Sequence, residues 1–266
     1  MRPVPDLGED SYRGTGRLAG RKALVTGGDS GIGAAVAIAF AREGADVAIS
    51  FLPEEQEDAQ HVLDLLDEAG VRAVALPGDL TDPAFCSQLV RDTVARLGGL
   101  DAIVNVAGKQ VWQESLDEIT DDQFDATFKT NVYAPFRIVK AALPYLRPGS
   151  TIVNTASLEA YVPAPDRLDY AATKGAINNF SKGLAQQLVH RGIRVNVVAP
   201  GPTWTVLQVT RGVDPSSLPE FGSSESPMGR AAQPAEIAPA YVFLTSAESS
   251  FVVGETLNVN GGMVTP

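Results

Sequence analysis

The chain is poor in the residues that form disulfides and transition-metal centres. Its 266 residues include one cysteine, Cys86, and two histidines, His61 and His190. A single cysteine excludes an intramolecular disulfide and suits a reducing compartment. The two histidines are far apart in sequence, and no cysteine pair or spaced histidine pair accompanies them. We therefore expect no catalytic metal.

Long apolar runs and an excess of basic residues are also missing. No stretch approaches the ~20 apolar residues that span a bilayer, and the N-terminus lacks the apolar core of a signal peptide. The 21 Lys and Arg residues face 32 Asp and Glu residues, which gives a formal net charge of −11. Nucleic acids and anionic membranes attract basic surfaces instead. We expect a cytoplasmic protein without a nucleic-acid or membrane partner.

Apolar residues are abundant, at 44% of the chain, and suffice for the core of one α/β domain. From Lys22 onward, short apolar runs alternate with helical patterns, which indicates a doubly wound parallel sheet with helices on both faces. The predicted strands are 23–26, 46–50, 72–76, 101–105, 150–154, 193–198 and 256–259, and the predicted helices are 31–43, 54–69, 83–97, 122–146, 170–191 and 234–246.

Two segments depart from this alternation. Residues 1–20 are rich in proline, glycine and charge, and they predict an irregular arm that lies on the surface or reaches a neighbouring subunit. Residues 200–230 carry several prolines and glycines and resemble an active-site loop or lid. We expect one domain over 21–266 that includes this substrate loop.

A glycine-rich turn, TGGDSGIG at 26–33, follows the first predicted strand and opens an alanine-rich helix. Backbone N–H groups and the positive end of a helix can approach a pyrophosphate at such a turn. Glycines also serve turns that bind nothing, and a methyltransferase can carry a similar turn. The turn indicates a nucleotide site but does not identify the reaction.

Tyr170 and Lys174 are four residues apart on a predicted helix and share one face. The ammonium beside the phenol makes a phenolate less costly, so the pair can act as an acid/base device. The alternative is an ordinary amphipathic helix with a half-buried tyrosine and a lysine whose stem is buried. Ser157 ends a predicted strand thirteen residues before Tyr170, where an open α/β sheet forms its ligand crevice, although a serine there could simply cap a loop.

These motifs together resemble the short-chain dehydrogenase/reductase family, from about Leu18 to Gly262. The matching residues are Thr26, Gly27, Gly31, Gly33, Asp79, Asn105, Ala107, Gly108, Asn131, Ser157, Tyr170, Lys174, Pro200, Gly201 and Thr205. The resemblance implies a Rossmann fold and NAD(P)-dependent hydride transfer to or from a small aldehyde, ketone or alcohol. It also implies a homotetramer with contacts through helices 122–146 and 170–191. The arm and the segment 125–131 resemble a bacterial subgroup of aldehyde/ketone reductases.

The resemblance assigns roles to four catalytic residues. Tyr170 is expected to exchange the proton of the carbonyl or alcohol, and the hydroxyl of Ser157 to bond the substrate oxygen. Lys174 is expected to stabilise the phenolate and to hold the nicotinamide ribose. Asn131 is expected to position a water that links Lys174 to solvent, with a structural, helix-kinking asparagine as the alternative.

The expected cofactor contacts follow the ends of the strands. They are Gly27, Asp29, Ser30, Gly31, Ile32, Gly33, Ser50, Phe51, Asp79, Leu80, Asn105, Ala107, Gly108, Tyr170, Lys174, Pro200, Gly201, Thr203 and Thr205. Asp79 is expected to accept from the adenine amino group or, alternatively, to cap the next helix. Thr205 is expected to bond the nicotinamide carboxamide.

The choice between NAD and NADP stays open. An acidic residue at the end of the second strand favours NAD and a basic residue NADP, but Ser50, Phe51 and Leu52 are neither. Asp29 and the nearby Glu54 carry the wrong sign for a phosphate, which gives a slight preference for NAD.

One departure from the family stands at residue 106. The usual Asn-Asn-Ala-Gly turn here has Val106 in the second position. We expect retained cofactor binding with altered local packing. A nucleotide-binding regulatory protein without turnover is the alternative from another class, and a redox-neutral epimerase or dehydratase is a third possibility.

The substrate pocket is expected beside the catalytic residues. Its predicted walls are Lys109, Val111, Trp112, Glu159, Tyr161, Val162 and Trp204. Apolar and aromatic walls suit an uncharged or aromatic carbonyl compound. Trp112 and Trp204 could instead be core or subunit-contact residues.

Overall fold

In the computed structural model, which describes residues 3–209, 221–224 and 226–265, seven parallel strands form one sheet. The strands are β1 (Lys22–Thr26), β2 (Asp46–Phe51), β3 (Ala73–Pro77), β4 (Ala102–Asn105), β5 (Thr151–Thr155), β6 (Arg194–Pro200) and β7 (Thr256–Val259). Their order is β3-β2-β1-β4-β5-β6-β7. This arrangement confirms the predicted doubly wound Rossmann sheet.

Helices cover both faces of the sheet. They are α1 (Gly31–Arg42), α2 (Gln56–Glu68), α3 (Pro83–Leu97), α4 (Asp121–Phe128), α5 (Ala134–Ala142), α6 (Leu168–Leu188), α7, described over Val206–Val209, and α8 (Pro234–Thr245). Helices α1, α2 and α8 pack on one face, and α3, α5 and α6 pack on the other. The buried strands are nearly all apolar, as a sheet covered on both sides requires.

The strand order reverses between β1 and β4, which pair in parallel with Thr26 opposite Asn105. In open α/β sheets the loops diverge at this point and leave a crevice beyond the carboxyl ends of the strands. The topology therefore places the glycine turn, which follows Thr26, at the mouth of the crevice. Residues that follow β4, β5 and β6 reach the same edge.

The predicted helix 122–146 is interrupted and shorter. A π-helical turn over Lys129–Tyr133 separates α4 from α5, and α5 ends at Ala142. Pro135 has no N–H to donate to the carbonyl of Asn131, so the regular hydrogen-bond ladder is broken at this turn. Phe124, Tyr133 and Phe136 on this segment are more than two-fifths exposed, and the expected subunit contact through these helices stays a prediction.

The first described residues, 3–21, contain no helix or strand and lie against the ends of α1 and α8. Their anchor is the fully buried Glu43. Its carboxylate accepts hydrogen bonds from the guanidinium of Arg17 at 2.7 Å and from the hydroxyl of Tyr12 at 2.6 Å. Burial alone would favour the neutral acid, but these bonds lower the pKa of Glu43 to about 2.

Glu43→Gln should destabilise the fold at neutral pH by about 2 kcal/mol, because hydrogen bonds to a charged group are lost in a buried place. The folded pKa of Glu43 lies below its ordinary value of 4.5, so this stability is complete above about pH 4.5 and is lost as the pH falls towards 2. Urea unfolding at pH 7 and pH 3 should therefore show a smaller difference from wild type at the lower pH. The exposed Glu68→Gln is the matched control, and an equal loss for both variants at pH 7 would contradict the anchor role.

Candidate active site

A cavity of about 670 Å³ opens at the carboxyl edge of the sheet. It brings together every expected cofactor contact except Asn105. Ser157, Lys109, Val111 and Glu159 also line it. Residues from the ends of six strands, β1 to β6, therefore face one space, which is large enough for a small-molecule ligand.

The glycine turn forms the floor of the cavity beside the start of α1. Gly27 and Gly31 have positive φ angles of 64° and 50°, a conformation that other residues rarely adopt. A Cβ atom on Gly33 would lie 1.8 Å from the carbonyl oxygen of Gly27. The backbone thus passes close to the N-terminus of α1, whose first N–H groups have no acceptor within the helix. This cradle fits the pyrophosphate of a dinucleotide.

The turn around Val106 is held by its backbone. The hydroxyl of Thr26 accepts hydrogen bonds from the N–H groups of Val106 at 3.1 Å and Ala107 at 3.2 Å. Asn105 is not among the described residues that line the cavity, and its side-chain amide donates to Asn154 on β5 at 2.8 Å. Asn105 therefore bridges two strands, and its expected contact with the cofactor stays a prediction.

Tyr170 and Lys174 lie on α6 and are 8% and 4% exposed. The Nζ atom of Lys174 is 5.2 Å from the centre of the Tyr170 ring and donates to the carbonyl oxygen of Thr155 at 3.0 Å. Burial lowers the pKa of Lys174 to about 8, and the nearby carboxylate of Glu159 opposes this change. Ser157 follows β5, and its hydroxyl accepts from the N–H of Glu159 at 3.2 Å. The serine, tyrosine and lysine line one cavity.

Asn131 lies in the π-helical turn and outside the described lining of the cavity. Its side chain accepts from the N–H of Lys109 at 2.7 Å and donates to the carbonyl of Lys109 at 2.9 Å. It also donates to the hydroxyl of Thr173 on α6 at 3.0 Å. Asn131 therefore fixes the chain after β4 against the catalytic helix, and its expected role in a water relay stays a prediction.

The expected aromatic wall is elsewhere. Trp204 is 3% exposed, and its indole N–H donates to the carbonyl oxygen of Pro3 at 2.9 Å. The hydroxyl of Tyr161 accepts from Asn178 at 3.1 Å. The ring of Trp112 stacks on the guanidinium of Arg167 at 4.7 Å. These three residues and the exposed Val162 are not among the described residues that line the cavity, because the aromatic side chains pair with other parts of the chain. Part of the predicted loop, residues 210–220 and 225, lies outside the described residues.

Two residues near the catalytic residues were not predicted from the sequence. Arg167 lines the cavity, and its position three residues before Tyr170 was the available signal. Tyr241 on α8 is fully buried with its hydroxyl 2.8 Å from the hydroxyl of Thr155, and burial raises its pKa. No local pattern marks Tyr241, because the contact joins residues 86 positions apart.

The glycine cradle, the buried Tyr170–Lys174 pair and Ser157 define the site of an NAD(P)-dependent oxidoreductase. A family model described as enoyl-(acyl carrier protein) reductase matches residues 27–264. The chain belongs to the short-chain dehydrogenase/reductase family.

Relatives and solved structures agree with this assignment. The uncharacterised oxidoreductase YghA of Escherichia coli is 56% identical over 98% of this chain and 89% of its own length. A glucose and ribitol dehydrogenase of Daucus carota is 44% identical over 99% of this chain and 92% of its own. A short-chain dehydrogenase of Burkholderia cenocepacia, solved in complex with NADP, has a TM-score of 0.85 and 37% identity, and the match covers 92% of this chain and 98% of that one. The predicted dependence on NAD(P) is confirmed.

The described residues contain no group of three or more His, Cys, Asp or Glu side chains placed to hold a metal ion. Within the same ranges, no helix combines the length and apolar character needed to cross a membrane.

The charge of Lys174 should control cofactor affinity. Because its folded pKa is lowered to about 8, the ammonium is lost as the pH rises through this value. We expect NADH to bind the Tyr170→Phe protein about tenfold more weakly above this pH than below it, the scale of a hydrogen bond to a charged group. Calorimetric titration across the range measures the change. The double variant Tyr170→Phe, Lys174→Met should bind NADH weakly at every pH. An affinity of the Tyr170→Phe protein for NADH that does not vary with pH would contradict the role of the Lys174 charge.

Proposed function

We propose that the protein reduces small aldehydes or ketones with NAD(P)H and, in reverse, oxidises the corresponding alcohols. The observation that carries this proposal is the convergence of Ser157, Tyr170 and Lys174 on the cavity that also contains the glycine cradle. A carbonyl compound beside them would meet a proton donor, a hydrogen-bond donor and a cation. The dehydrogenase of Daucus carota supports the inclusion of sugar alcohols among the test substrates.

Each residue has a separate task in the proposed reaction. The nicotinamide, when bound, supplies the hydride in reduction and accepts it in oxidation. The Tyr170 hydroxyl donates its proton to the carbonyl oxygen as negative charge develops there. The Ser157 hydroxyl donates a hydrogen bond to the same oxygen. Lys174, held by the carbonyl of Thr155, stabilises the phenolate that Tyr170 becomes.

The alternatives receive less support. The hypothesis of a regulatory protein without turnover rested on Val106. The backbone N–H of Val106 donates to Thr26, and the Val106 side chain packs against the core. The hydrogen bonds to Thr26 that hold the turn therefore do not involve the side chain of residue 106. A redox-neutral epimerase would use the same tyrosine and lysine, and would differ in producing no net change of cofactor.

Tyr170→Phe should lower kcat for carbonyl reduction by about a thousandfold, because it removes the general acid, while NADH binding is retained. Tyr145→Phe, the same change at a tyrosine outside the cavity, should leave kcat unchanged. The assay follows NADH and NADPH oxidation with a panel of aldehydes, ketones and diketones. Full activity of Tyr170→Phe would refute the mechanism, and turnover without net NADH oxidation would favour the redox-neutral alternative.

We propose NAD(H) as the preferred cofactor. Asp29, Glu54 and Glu55 line the cavity beside the end of β2, whereas its described cationic lining residues, Lys109, Lys174 and Arg167, follow β4 and β5. Burial, and then the neighbouring charge of Asp29, raises the pKa of Glu55. A 2′-phosphate would add further negative charge to this cluster.

Wild-type protein should therefore have a higher kcat/KM for NADH than for NADPH. Removing one carboxylate by Asp29→Asn or Glu55→Gln should raise the NADPH-to-NADH ratio about fivefold, from ~1 kcal/mol between unit charges near 4 Å in water. Glu57→Gln, exposed on α2 and outside the cavity lining, is the control. A wild-type preference for NADPH would overturn this proposal.

A further inference from the structure

An ion pair stands in the wall of the cavity beside the catalytic residues. Glu159 follows Ser157 in a 3₁₀ turn, and Arg167 comes immediately before α6, which carries Tyr170. The Nε atom of Arg167 is 3.2 Å from Oε1 of Glu159, and the two side chains are 10% and 13% exposed. Both residues line the cavity. The carboxylate of Glu159 is close enough to act on the pKa of Lys174.

The guanidinium of Arg167 is held in place by its neighbours. One face stacks on the ring of Trp112 at 4.7 Å, and Nε also lies 3.1 Å from Oδ1 of Asp166. Arginine has five N–H donors. The described residues accept no hydrogen bond from its two terminal amino groups, so these donors are available to a ligand in the cavity.

We propose that Glu159 and Arg167 form the substrate-recognition element and that they select a neutral polyhydroxylated carbonyl compound, or its polyol in the reverse direction. A hydroxyl both donates and accepts, so neighbouring hydroxyls are satisfied by a carboxylate beside a guanidinium. This proposal rests on the proposed function, because it places the hydroxyls next to a carbonyl held by Ser157 and Tyr170.

Two other substrate classes fit the pair less well. The charge of Arg167 is balanced by Glu159 and Asp166, which leaves no net positive charge for a carboxylate or phosphate. A purely apolar substrate would remove water from a charged pair without supplying hydrogen bonds, which is costly. The expectation of an aromatic substrate rested on Trp112, Tyr161 and Trp204, none of which is among the described residues that line the cavity.

The test compares four-carbon ketones that differ in hydroxyls and charge. L-Erythrulose carries a hydroxyl on each carbon except the carbonyl carbon. Butan-2-one carries no hydroxyl, and 2-oxobutanoate is anionic. Wild type should have a kcat/KM for erythrulose at least about tenfold above that for butan-2-one, the scale of one hydrogen bond to a charged group. Equal values for the two ketones, or a preference for 2-oxobutanoate, would overturn the proposal.

Two variants separate recognition from a structural role, because the ion pair also joins the segments that carry Ser157 and Tyr170. Arg167→Met should lower kcat/KM for erythrulose about tenfold and leave that for butan-2-one nearly unchanged. Glu159→Gln also removes the carboxylate that acts on Lys174, so it should lower the values for both ketones, with the loss for erythrulose about tenfold larger. Arg167→Lys, which keeps the charge, should recover part of the loss. Exposed Arg91→Met is the matched control. Equal losses for both ketones would show that the pair only positions the catalytic segments.

A binding measurement keeps this inference testable if turnover fails. Calorimetric titration of the Tyr170→Phe protein, loaded with NAD⁺, should detect ribitol but not pentane-1,5-diol, and the ribitol signal should be lost on adding Glu159→Gln. Absence of turnover with every ketone, together with this ribitol binding, would refute the proposed reaction and support the recognition element. Absence of ribitol binding in a protein that reduces butan-2-one would refute the recognition element alone.

Discussion

The burial of the Lys174 ammonium is the constraint on which the rest of the site depends. A cation with 4% exposure is costly unless neighbouring groups compensate it. The carbonyl of Thr155 accepts from it, and the carboxylate of Glu159 lies within electrostatic reach. Thr155 is in turn fixed by the buried hydroxyl of Tyr241. The end of β5 and the start of α6 are thereby held together, with α8 as a support behind them, before any ligand binds.

The interruption between α4 and α5 lies where this segment contacts the catalytic helix. Asn131 lies in the π-helical turn, and both ends of its amide bond the backbone of Lys109. A regular helix would keep the carbonyl of residue 131 in its ladder, but Pro135 cannot donate to it. The resulting contact with Thr173 joins α4 and α5 to the face of α6 that carries Tyr170 and Lys174.

The sheet and the cofactor cradle were predictable because their signals are local. Apolar runs mark buried strands, and glycines mark backbone conformations that Gly27 and Gly31 indeed adopt. The pocket wall was not predictable in this way. Trp204 is adjacent in sequence to two cavity-lining threonines, yet its side chain bonds Pro3 across 201 positions. Arg167 offered only a helical spacing to Tyr170, and nothing local shows that Glu159 would pair with it.

The position of Glu159 and Arg167 beside Ser157 suggests how one fold can keep its reaction while its substrate changes. Glu159 contacts Ser157 through its backbone N–H, whereas its side chain contacts Arg167. The backbone contact survives any substitution that preserves the turn, so the reacting oxygen keeps its binding group. The side chain of Glu159 pairs with Arg167, and its carboxylate also acts on the pKa of Lys174. In the proposed function, the reaction depends on Ser157, Tyr170 and Lys174, and substrate selection depends on the neighbouring pair of Glu159 and Arg167.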